Sequence, residues 1–310
     1  MDVIRENREI PENLKGAFVT IGNFDGVHLG HRSIFRRLVE AARREGRPAA
    51  AISFDPHPKM ILHPELRPFY LITTTEEKIR LLAELGLDAF ILIPFSAEYA
   101  RMTATEFVHG ILWEQLRIRR IIIGHDYTFG RGKEGNETFL SEAGRRLGFE
   151  VDVMNAFCVG DTVISSTKIR EALLAGEVRF AATLLGRPYN LGGRVTSGNR
   201  RGVQLGFPTA NIIPVKELVP RRGVYAVRVL FRGHRHDGIV NIGFNPTFSG
   251  QEQTIEAHIF DFRRDLYGED LEILFIERIR DEVRFENSGK LIEQIHRDIE
   301  QTRGFLKAEP

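Results

Sequence analysis

The sequence GNFDGVHLGH, residues 22–31, stands between an apolar run at residues 17–21 and an apolar stripe of helical period that begins at Ile34 and is closed by Gly46. The run is typical of a buried strand and the stripe of an amphipathic helix. A strand, a glycine-rich turn and a helix in this order leave free backbone N–H groups and the positive end of the helix dipole at the turn. The stretch therefore predicts a phosphate site in an α/β domain.

Two histidines and several glycines suit this turn to phosphate chemistry. His28 and His31 are three residues apart, so on a helical turn both imidazoles lie on one face and can donate hydrogen bonds to charge that develops on an attacked α-phosphate. Gly26 and Gly30 lack a Cβ, which lets the backbone approach the anion. Taken alone, such a histidine pair also occurs by chance on surfaces, and no third ligand for zinc is evident. The residues expected to contact ATP here are Gly22, Phe24, Gly26 and Gly30.

A second cluster, ISSTKIR at residues 164–170, places hydroxyls and cations at the start of a predicted helix. Ser-Ser-Thr is a common helix cap, and this plain structural role remains open when the segment is taken alone. Combined with the histidine turn, hydroxyls and cations at a helix start suit the β- and γ-phosphates. The expected phosphate ligands are Ser165, Ser166, Thr167 and Arg170.

Short apolar runs alternate with helical patterns up to about residue 185. The predicted strands are residues 17–21, 49–54, 89–94, 120–124 and 149–154, and residues 74–77 and 103–106 have the pattern of capping boxes at the start of helices between them. This alternation predicts a doubly wound parallel sheet, in which ligands bind beyond the carboxyl ends of the strands.

The pattern changes after Gly186. Residues 224–231, 239–242, 254–262 and 271–279 are strand candidates, residues 233–238 a polar turn, and residues 289–302 a closing helix. Several short strands followed by one helix predict a small antiparallel β-barrel. We therefore expect two domains, at residues 1–185 and 186–310.

The second domain carries its own polar residues. Thr209 and Asn211 in GFPTAN are two apart, so in an extended segment both point to one side, where they could meet Mg²⁺ and a nucleotide phosphate. The same letters also fit a plain turn. Glu256 lies on a predicted strand beside aromatic residues, and it could be either the general base for an alcohol or an exposed strand residue.

Composition limits the classes of function. The 310 residues include 43 Lys and Arg against 42 Asp and Glu, a balance that gives no field for holding nucleic acid or an anionic membrane. One cysteine excludes an intrachain disulfide, and the polar first residues and short apolar runs offer neither a secretory core nor a membrane span. We expect a cytoplasmic protein without nucleic-acid or membrane partners.

The histidine turn followed by SSTKIR resembles the nucleotidyltransferases that transfer AMP or CMP. Residues 53–58, SFDPHP, and 124–130, GHDYTFG, narrow the likeness to the FAD synthetase module of bacteria, whose usual pattern has Phe where Tyr127 stands. The resemblance implies that Phe54 and Asp126 help to seat the nucleotide or flavin, although Phe54 would equally suit a plain core position.

Residues 186–302 resemble the riboflavin kinase module through GRPY at its start, GFPTAN, GVY at 223–225, NIG at 241–243 and EAHIFDFRRDLYG at 256–268. The resemblance assigns Thr209 and Asn211 to Mg-ATP and Glu256 to the base that activates the ribityl 5′-hydroxyl. In the loop before GFPTAN, Ser197 and Val203 replace the more usual His and Arg. Three residues of that loop remain as in the family, and the resemblance implies that they bind phosphate: Gly198, Arg201 and Gly202.

Together the two modules identify the sequence as a member of the bacterial bifunctional riboflavin kinase/FAD synthetase family. Membership implies phosphorylation of riboflavin to FMN by ATP, then adenylylation of FMN to FAD with release of pyrophosphate, with Mg²⁺ as cofactor. The implied partners are these small molecules, and a monomer or weak homo-oligomer is expected. A transferase with another acceptor, such as phosphopantetheine, would share the histidine turn but not the second domain. A flavin-binding regulator would not need the catalytic residues of both domains.

Overall fold

The computed structural model describes residues 1–5, 10–66, 68–197, 202, 205–247 and 250–308. Contacts divide the chain into two units, Met1–Ser166 and Thr167–Pro310. Each unit has its own sheet, as the change in sequence pattern predicts. This division comes before the boundary expected at residue 185, because the helix Val178–Leu185 packs on strands of the second unit.

Six parallel strands form the sheet of the first unit. They are β1 Asp2–Arg5, β2 Phe18–Ile21, β3 Ala49–Asp55, β4 Ala89–Pro94, β5 Arg120–Gly124 and β6 Glu150–Met154. Their spatial order is β1-β4-β3-β2-β5-β6. The doubly wound parallel sheet and five of its strands are confirmed, since continuous apolar runs mark strands covered on both faces. The edge strand β1 was missed because it has four residues, two of them charged.

Helices connect these strands. They are α1 Leu29–Arg44, α2 Pro58–Leu62, α3 Thr75–Ala83, α4 Ala104–Glu106, which continues as a π-helix over Phe107–Gln115, and α5 Glu137–Leu147. Both predicted capping boxes are present, at Thr74 with Glu77 and at Thr103 with Glu106. Single 3₁₀ turns occupy Glu12–Leu14, Pro64–Leu66, Tyr99–Arg101 and Arg131–Lys133, and a two-stranded hairpin pairs β7 Cys158–Val159 with β8 Thr162–Val163.

Apolar side chains cover both faces of the parallel sheet. On one face α1 and α3 contribute Phe35, Leu38 and Leu82, which pack with Phe18 and Phe90 of the strands. On the other face the π-helix and α5 pack against alternate strand residues. Burial on both faces fixes the sheet as a rigid platform whose carboxyl edge carries the connecting loops.

The strand order reverses at one place in this sheet. From β2 the chain proceeds through β3 and β4 on one side and then through β5 and β6 on the other. In open α/β sheets, the crevice at such a reversal is where ligands bind. The turn at residues 22–31 follows β2, and residues 124–130 follow β5. The topology therefore places both sequence motifs at the predicted ligand crevice.

The second unit is a closed antiparallel barrel accompanied by helices. Its strands are β9 Tyr189–Thr196, β10 Ala210–Pro214, β11 Gly223–Phe231, β12 His234–Thr247, β13 Gly250–Ile259 and β14 Asp270–Arg280. The barrel order is β10-β13-β12-β11-β14-β9, and β9 pairs with β10 to close it. The helices are α6 Ser166–Ala175, α7 Val178–Leu185 and the closing helix α8 Ser288–Ala308. The predicted barrel is confirmed.

The strands β9 and β10 were missed, and two further details of the barrel differ from the sequence prediction. The polar turn expected at residues 233–238 is wrong: Arg232 and Gly233, both with left-handed φ, form a two-residue turn, and β12 begins at His234. Left-handed backbone at both turn positions matches the twist of the hairpin strands, so the polar residues that follow belong to the strand. The strand predicted for 254–262 ends at Ile259, before a left-handed residue at Asp261.

A buried ion pair fastens α8 to the barrel. Arg280, the last residue of β14, donates from Nε and a terminal nitrogen to the carboxylate of Asp298 at 2.7–3.0 Å. Asp298 is 3% exposed and also accepts a hydrogen bond from Gln294. Removing one partner of such a pair leaves an uncompensated charge in the interior.

We predict that Asp298→Asn destabilises the barrel unit by about 2–3 kcal/mol, since Arg280 loses its counter-ion in a largely buried place. Hydrogen–deuterium exchange of amides in β14 and α8 of the full chain measures this loss. Glu293→Gln is the matched control, because its ion pair with Lys290 is exposed and worth less than 1 kcal/mol. Equal exchange rates in the two variants would contradict the prediction.

Candidate active sites

The turn between β2 and α1 has an unusual backbone. Phe24, Gly26 and Val27 have φ of 49°, 87° and 41°. Left-handed φ is uncommon outside glycine and costs about 1–2 kcal/mol per residue, so neighbouring groups must hold the turn. A Cβ on Gly22 would lie 2.8 Å from the Phe24 ring, and the Phe24 ring packs edge-on against His31. The glycine and the aromatic ring are thus parts of one packed unit.

Asp25 holds this turn to a neighbouring segment. Its carboxylate is 2% exposed and accepts hydrogen bonds from the backbone N–H groups of Ile72 and Thr73 at 3.0 and 3.1 Å. The Thr73 hydroxyl in turn accepts the N–H of Gly26 at 3.0 Å. Sequence reasoning missed Asp25 and Thr73 because their partners are nearly fifty residues apart in the chain.

His28 and His31 meet as the spacing predicts. His28 is the N-cap of α1, and its Nδ1 accepts the backbone N–H of His31 at 3.3 Å. The two rings stack with centroids 3.6 Å apart and planes 15° from parallel. Because Nδ1 of His28 is an acceptor, the proton of the neutral ring is assigned to Nε2. One donor is therefore available at the helix start.

The surroundings of His31 favour its neutral form. Burial, followed by the charges of His28 and Lys78, holds the pKa of His31 well below its usual value. Among the described residues, its Nδ1 is buried without a hydrogen-bond partner. A neutral imidazole with an unpaired nitrogen at the positive end of a helix is suited to meet an incoming anionic ligand.

The predicted SST segment begins α6, and Ser166 joins it to the turn. The Ser166 hydroxyl donates to the carbonyl of Asp25 at 2.9 Å. Ser165 precedes the helix and is half-buried, and Thr167 and Arg170 lie in its first turns. The structure thus brings Ser166 to the histidine turn, while the phosphate roles of Ser165, Thr167 and Arg170 stay predictions.

Aromatic side chains gather near the ends of β3 and β5. Phe54 lies with its ring centroid 5.6 Å from that of Phe95 and 6.0 Å from that of Tyr99. Among the described residues, the hydroxyls of Tyr99 and Tyr127 are buried without hydrogen-bond partners. Burial raises the pKa of both phenols, and their proximity adds to the effect at Tyr127. Asp126 directly precedes Tyr127 in the sequence and is exposed. Sequence reasoning missed Phe95 and Tyr99.

Four polar side chains share the outer surface of the barrel. Asn211 of β10 stands opposite Thr196 of β9 and opposite Glu256 of β13, and Glu256 stands opposite Asn241 of β12. Side chains opposite each other in antiparallel strands lie on one face with Cβ atoms about 5 Å apart. Their neighbours Ile212, Ile255 and Ala257 are buried and point inward. The register therefore brings together Asn211 and Glu256, two residues that the resemblance assigns to one activity, and adds Thr196 and Asn241.

Aromatic and imidazole side chains contact the segment that precedes β10. Nδ1 of His258 lies 2.8 Å from the carbonyl of Pro208, next to Thr209. Phe207 packs edge-on with His258 and His296. A Cβ on Gly202 would lie 2.3 Å from the carbonyl oxygen of Phe207, so only glycine fits there. Gly198, Arg201 and Val203 lie outside the described residues.

A cavity of about 460 Å³ opens beside this segment. Thr196, Ser197 and Thr209 lie on its polar side, and Arg264 and Tyr267 on the side that follows β13. A volume of this size is in the range of small-molecule sites. Thr209 thus lies on the wall of a ligand-sized cavity, next to the polar row of Asn211 and Glu256.

Comparison with known proteins finds two family models along the chain. A family model described as FAD synthetase matches residues 10–168, and one described as riboflavin kinase matches residues 185–306. The bifunctional riboflavin kinase/FMN adenylyltransferase of Escherichia coli is 39% identical over 94% of this chain and 93% of its own length. The enzyme of the same name from Haemophilus influenzae is 37% identical over 99% of this chain and all of its own length.

A solved structure has the same fold over the whole chain. It is described as a macrolide-efflux protein from Streptococcus pneumoniae, with a TM-score of 0.89 and 34% identity over 98% of this chain and 99% of that one. Of the helices described here, none is both long and apolar enough to cross a membrane.

We predict that the imidazole of His31 stays neutral at pH 7 and takes up a proton only below the usual histidine range, because burial opposes its charge, and electrostatic interaction with His28 and Lys78 opposes it further. An NMR titration of the histidine ring protons measures this. His28→Ala should raise the pKa of His31, since one opposing charge is lost. A His31 resonance that titrates in the usual range in the parent protein would contradict the prediction.

Proposed function

The chain belongs to the bifunctional riboflavin kinase/FMN adenylyltransferase family, and on that premise we propose which of its residues carry each activity. The protein phosphorylates riboflavin to FMN with ATP, and adenylylates FMN to FAD with release of pyrophosphate. Its substrates are ATP, riboflavin and FMN. We assign FAD formation to the parallel-sheet unit and FMN formation to the barrel, with the domain boundary at residue 185 as expected from the sequence.

We propose that the turn at residues 22–31 binds the phosphates of ATP in the first unit. The observation that carries this assignment is the stacked pair of His28 and His31 at the N-terminus of α1. A phosphate oxygen of FMN attacks the α-phosphorus, the bond from that phosphorus to the bridging oxygen breaks, and pyrophosphate leaves. Donors fixed before the reaction stabilise the charge that grows on the α-phosphate.

The lowered pKa of His31, caused first by burial, indicates what kind of catalyst this residue is. A neutral imidazole can donate a hydrogen bond without giving up its proton, so it acts by charge stabilisation rather than by acid catalysis. FMN phosphate is already an anionic nucleophile near neutral pH, so this step needs no general base. Positioning and electrostatics supply the rate.

We propose that Phe54, Phe95 and Tyr99 form the seat of the flavin ring in this unit, with Asp126 nearby. Support comes from the half-buried aromatic faces at the sheet edge and from the unpaired phenols of Tyr99 and Tyr127. The flavin ring is planar and carries polar edges, so it can stack on such rings while accepting hydrogen bonds from phenols.

In the barrel we propose that Glu256 is the general base for the kinase reaction. It accepts the proton of the riboflavin 5′-hydroxyl, whose oxygen bonds to the γ-phosphorus while the bond to the leaving ADP oxygen breaks. Support comes from its place in the row Thr196, Asn211, Glu256 and Asn241. Neighbouring amides can orient the carboxylate in that row.

We propose that Thr209 and Asn211 hold Mg²⁺ together with ATP. A hydroxyl and an amide oxygen are donors that this hard cation accepts, and Mg²⁺ is commonly bound by few protein ligands plus phosphates. Among the described residues no group of three or more His, Cys, Asp or Glu side chains could hold a metal, so such a site would depend on phosphate oxygens. When bound, the ion would neutralise phosphate charge.

A cytoplasmic location without nucleic-acid partners is also proposed. The single cysteine, Cys158, is exposed and unpaired, which suits a reducing compartment, and the near-balance of charge gives no broad basic field. A monomer or weak homo-oligomer remains the expected state.

We predict that His28→Ala or His31→Ala slows FAD formation by roughly 10²–10³-fold, or about 3–4 kcal/mol, and spares FMN formation. Glu256→Gln should slow FMN formation by roughly 10²–10⁴-fold and spare adenylylation of supplied FMN. Separating the flavins after incubation with riboflavin or FMN and ATP measures both. Equal loss of the two activities in any one variant would overturn the assignment of sites.

We predict that Asn211→Ala raises the KM for Mg-ATP in FMN formation by about tenfold, the value of a hydrogen bond or ligand contact to a charged group. Chelation with EDTA should stop FMN formation, and added Mg²⁺ should restore it. Ile213→Ala is the matched control, because Ile213 is exposed on the same strand. An unchanged KM for Asn211→Ala would remove this residue from the site.

A further inference from the structure

We propose that Lys78 is a positioning residue of the adenylyl-transfer site: it fixes the turn that carries His28 and His31 and adds a fixed positive charge near the pair. This inference rests on the proposed role of the histidines in FAD formation. The residue lies on α3, more than forty positions from the histidines, and none of the sequence motifs includes it.

The side chain of Lys78 reaches the first residues of the turn. It is 7% exposed, and its Nζ donates to the carbonyl of Asn23 at 2.7 Å. Asn23 directly precedes Phe24, the first of the three residues with left-handed φ. A short hydrogen bond from a cation to this carbonyl fixes the peptide plane from which the turn departs. The Ser53 hydroxyl, at 3.4 Å, is a longer second donor to the same carbonyl.

The capping box of α3 fixes where Lys78 can point. Thr74 and Glu77 cap the helix reciprocally, and Glu77 is 8% exposed. Thr73, one residue before the cap, is bonded to Asp25 and Gly26 of the turn. The start of α3 and the turn are therefore joined at three places. Among the residues described, Lys78 forms the only one of these three links that carries a positive charge.

Charges from several elements face this place. Asp25 of the turn and Asp55 at the end of β3 favour the charged form of Lys78, while burial acts against it and lowers its pKa. His28 and His31 face it from the start of α1, and the charge of Lys78 lowers the pKa of His31. Lys78 thus has two separable effects, one on the geometry of the turn and one on the protonation of His31.

The test uses Lys78→Met, which keeps the length of the side chain without its charge, and Lys78→Arg, which keeps the charge. Lys59→Met, an exposed lysine on α2, is the matched control. FAD formation from FMN and ATP is measured against pH, and FMN formation from riboflavin reports on the barrel unit. The NMR spectrum that follows the titration of His31 also reports whether the parallel-sheet unit, which carries Lys78, is folded. Loss of a charged hydrogen bond of about 1.5–3 kcal/mol predicts a 10–100-fold slower FAD formation in Lys78→Met.

Three results support the proposal together. Lys78→Met slows FAD formation and spares FMN formation, it raises the pKa of His31, and Lys78→Arg retains the parent pKa. If His31 titrates unchanged in Lys78→Met, or if FAD formation is as fast as in Lys59→Met, the proposal is wrong. If instead His31→Ala itself leaves FAD formation intact, the proposed role of the histidines fails, whatever the titration of Lys78→Met gives.

Discussion

A left-handed turn held immediately before a helix is the constraint on which the first active site depends. Phe24 and Val27, the two residues of the turn that carry a Cβ at left-handed φ, would relax in an isolated peptide, and their costs add to about 2–4 kcal/mol. The turn persists because Asp25 and the segment ending at Thr73 share a closed set of hydrogen bonds. The turn leads directly into α1, at whose start the rings of His28 and His31 stack. Strain stored in the turn is thereby converted into a site that needs little reorganisation when an anion binds.

In the proposed assignment, the two units handle phosphate chemistry by different means. The parallel-sheet unit offers an open helix end and neutral donors, which suits an attack by FMN, an anion that needs no deprotonation. The barrel offers a carboxylate in a row of amides and hydroxyls, which suits an alcohol that must lose a proton. The N-terminus of a helix does not repel an anion, but it cannot remove a proton. A carboxylate repels an anion, but it can remove a proton. Each unit therefore has the electrostatics of one nucleophile.

The sequence predicted most of the sheet and one half of each site. Strands such as Ala89–Pro94 were predictable because a strand buried on both faces is a continuous apolar run. The histidine pair followed from the helical spacing, whereas Glu256 entered the site through the family resemblance. What failed was non-local: Asp25 and Lys78 take their roles from partners far away in the chain. The missed strand β9, with glycines at 192 and 193, has too little apolar periodicity to be seen.

The two sheets also differ at their edges. The barrel closes through the pairing of β9 with β10, so its strands leave no row of unpaired backbone groups. The parallel sheet is open, and the apolar β4 would be its edge if β1 did not lie beside it. β1 is only four residues long and has a charge at each end, Asp2 and Arg5. A short charged border is a poor template for another chain, so this strand protects the protein from aggregation through an otherwise apolar edge.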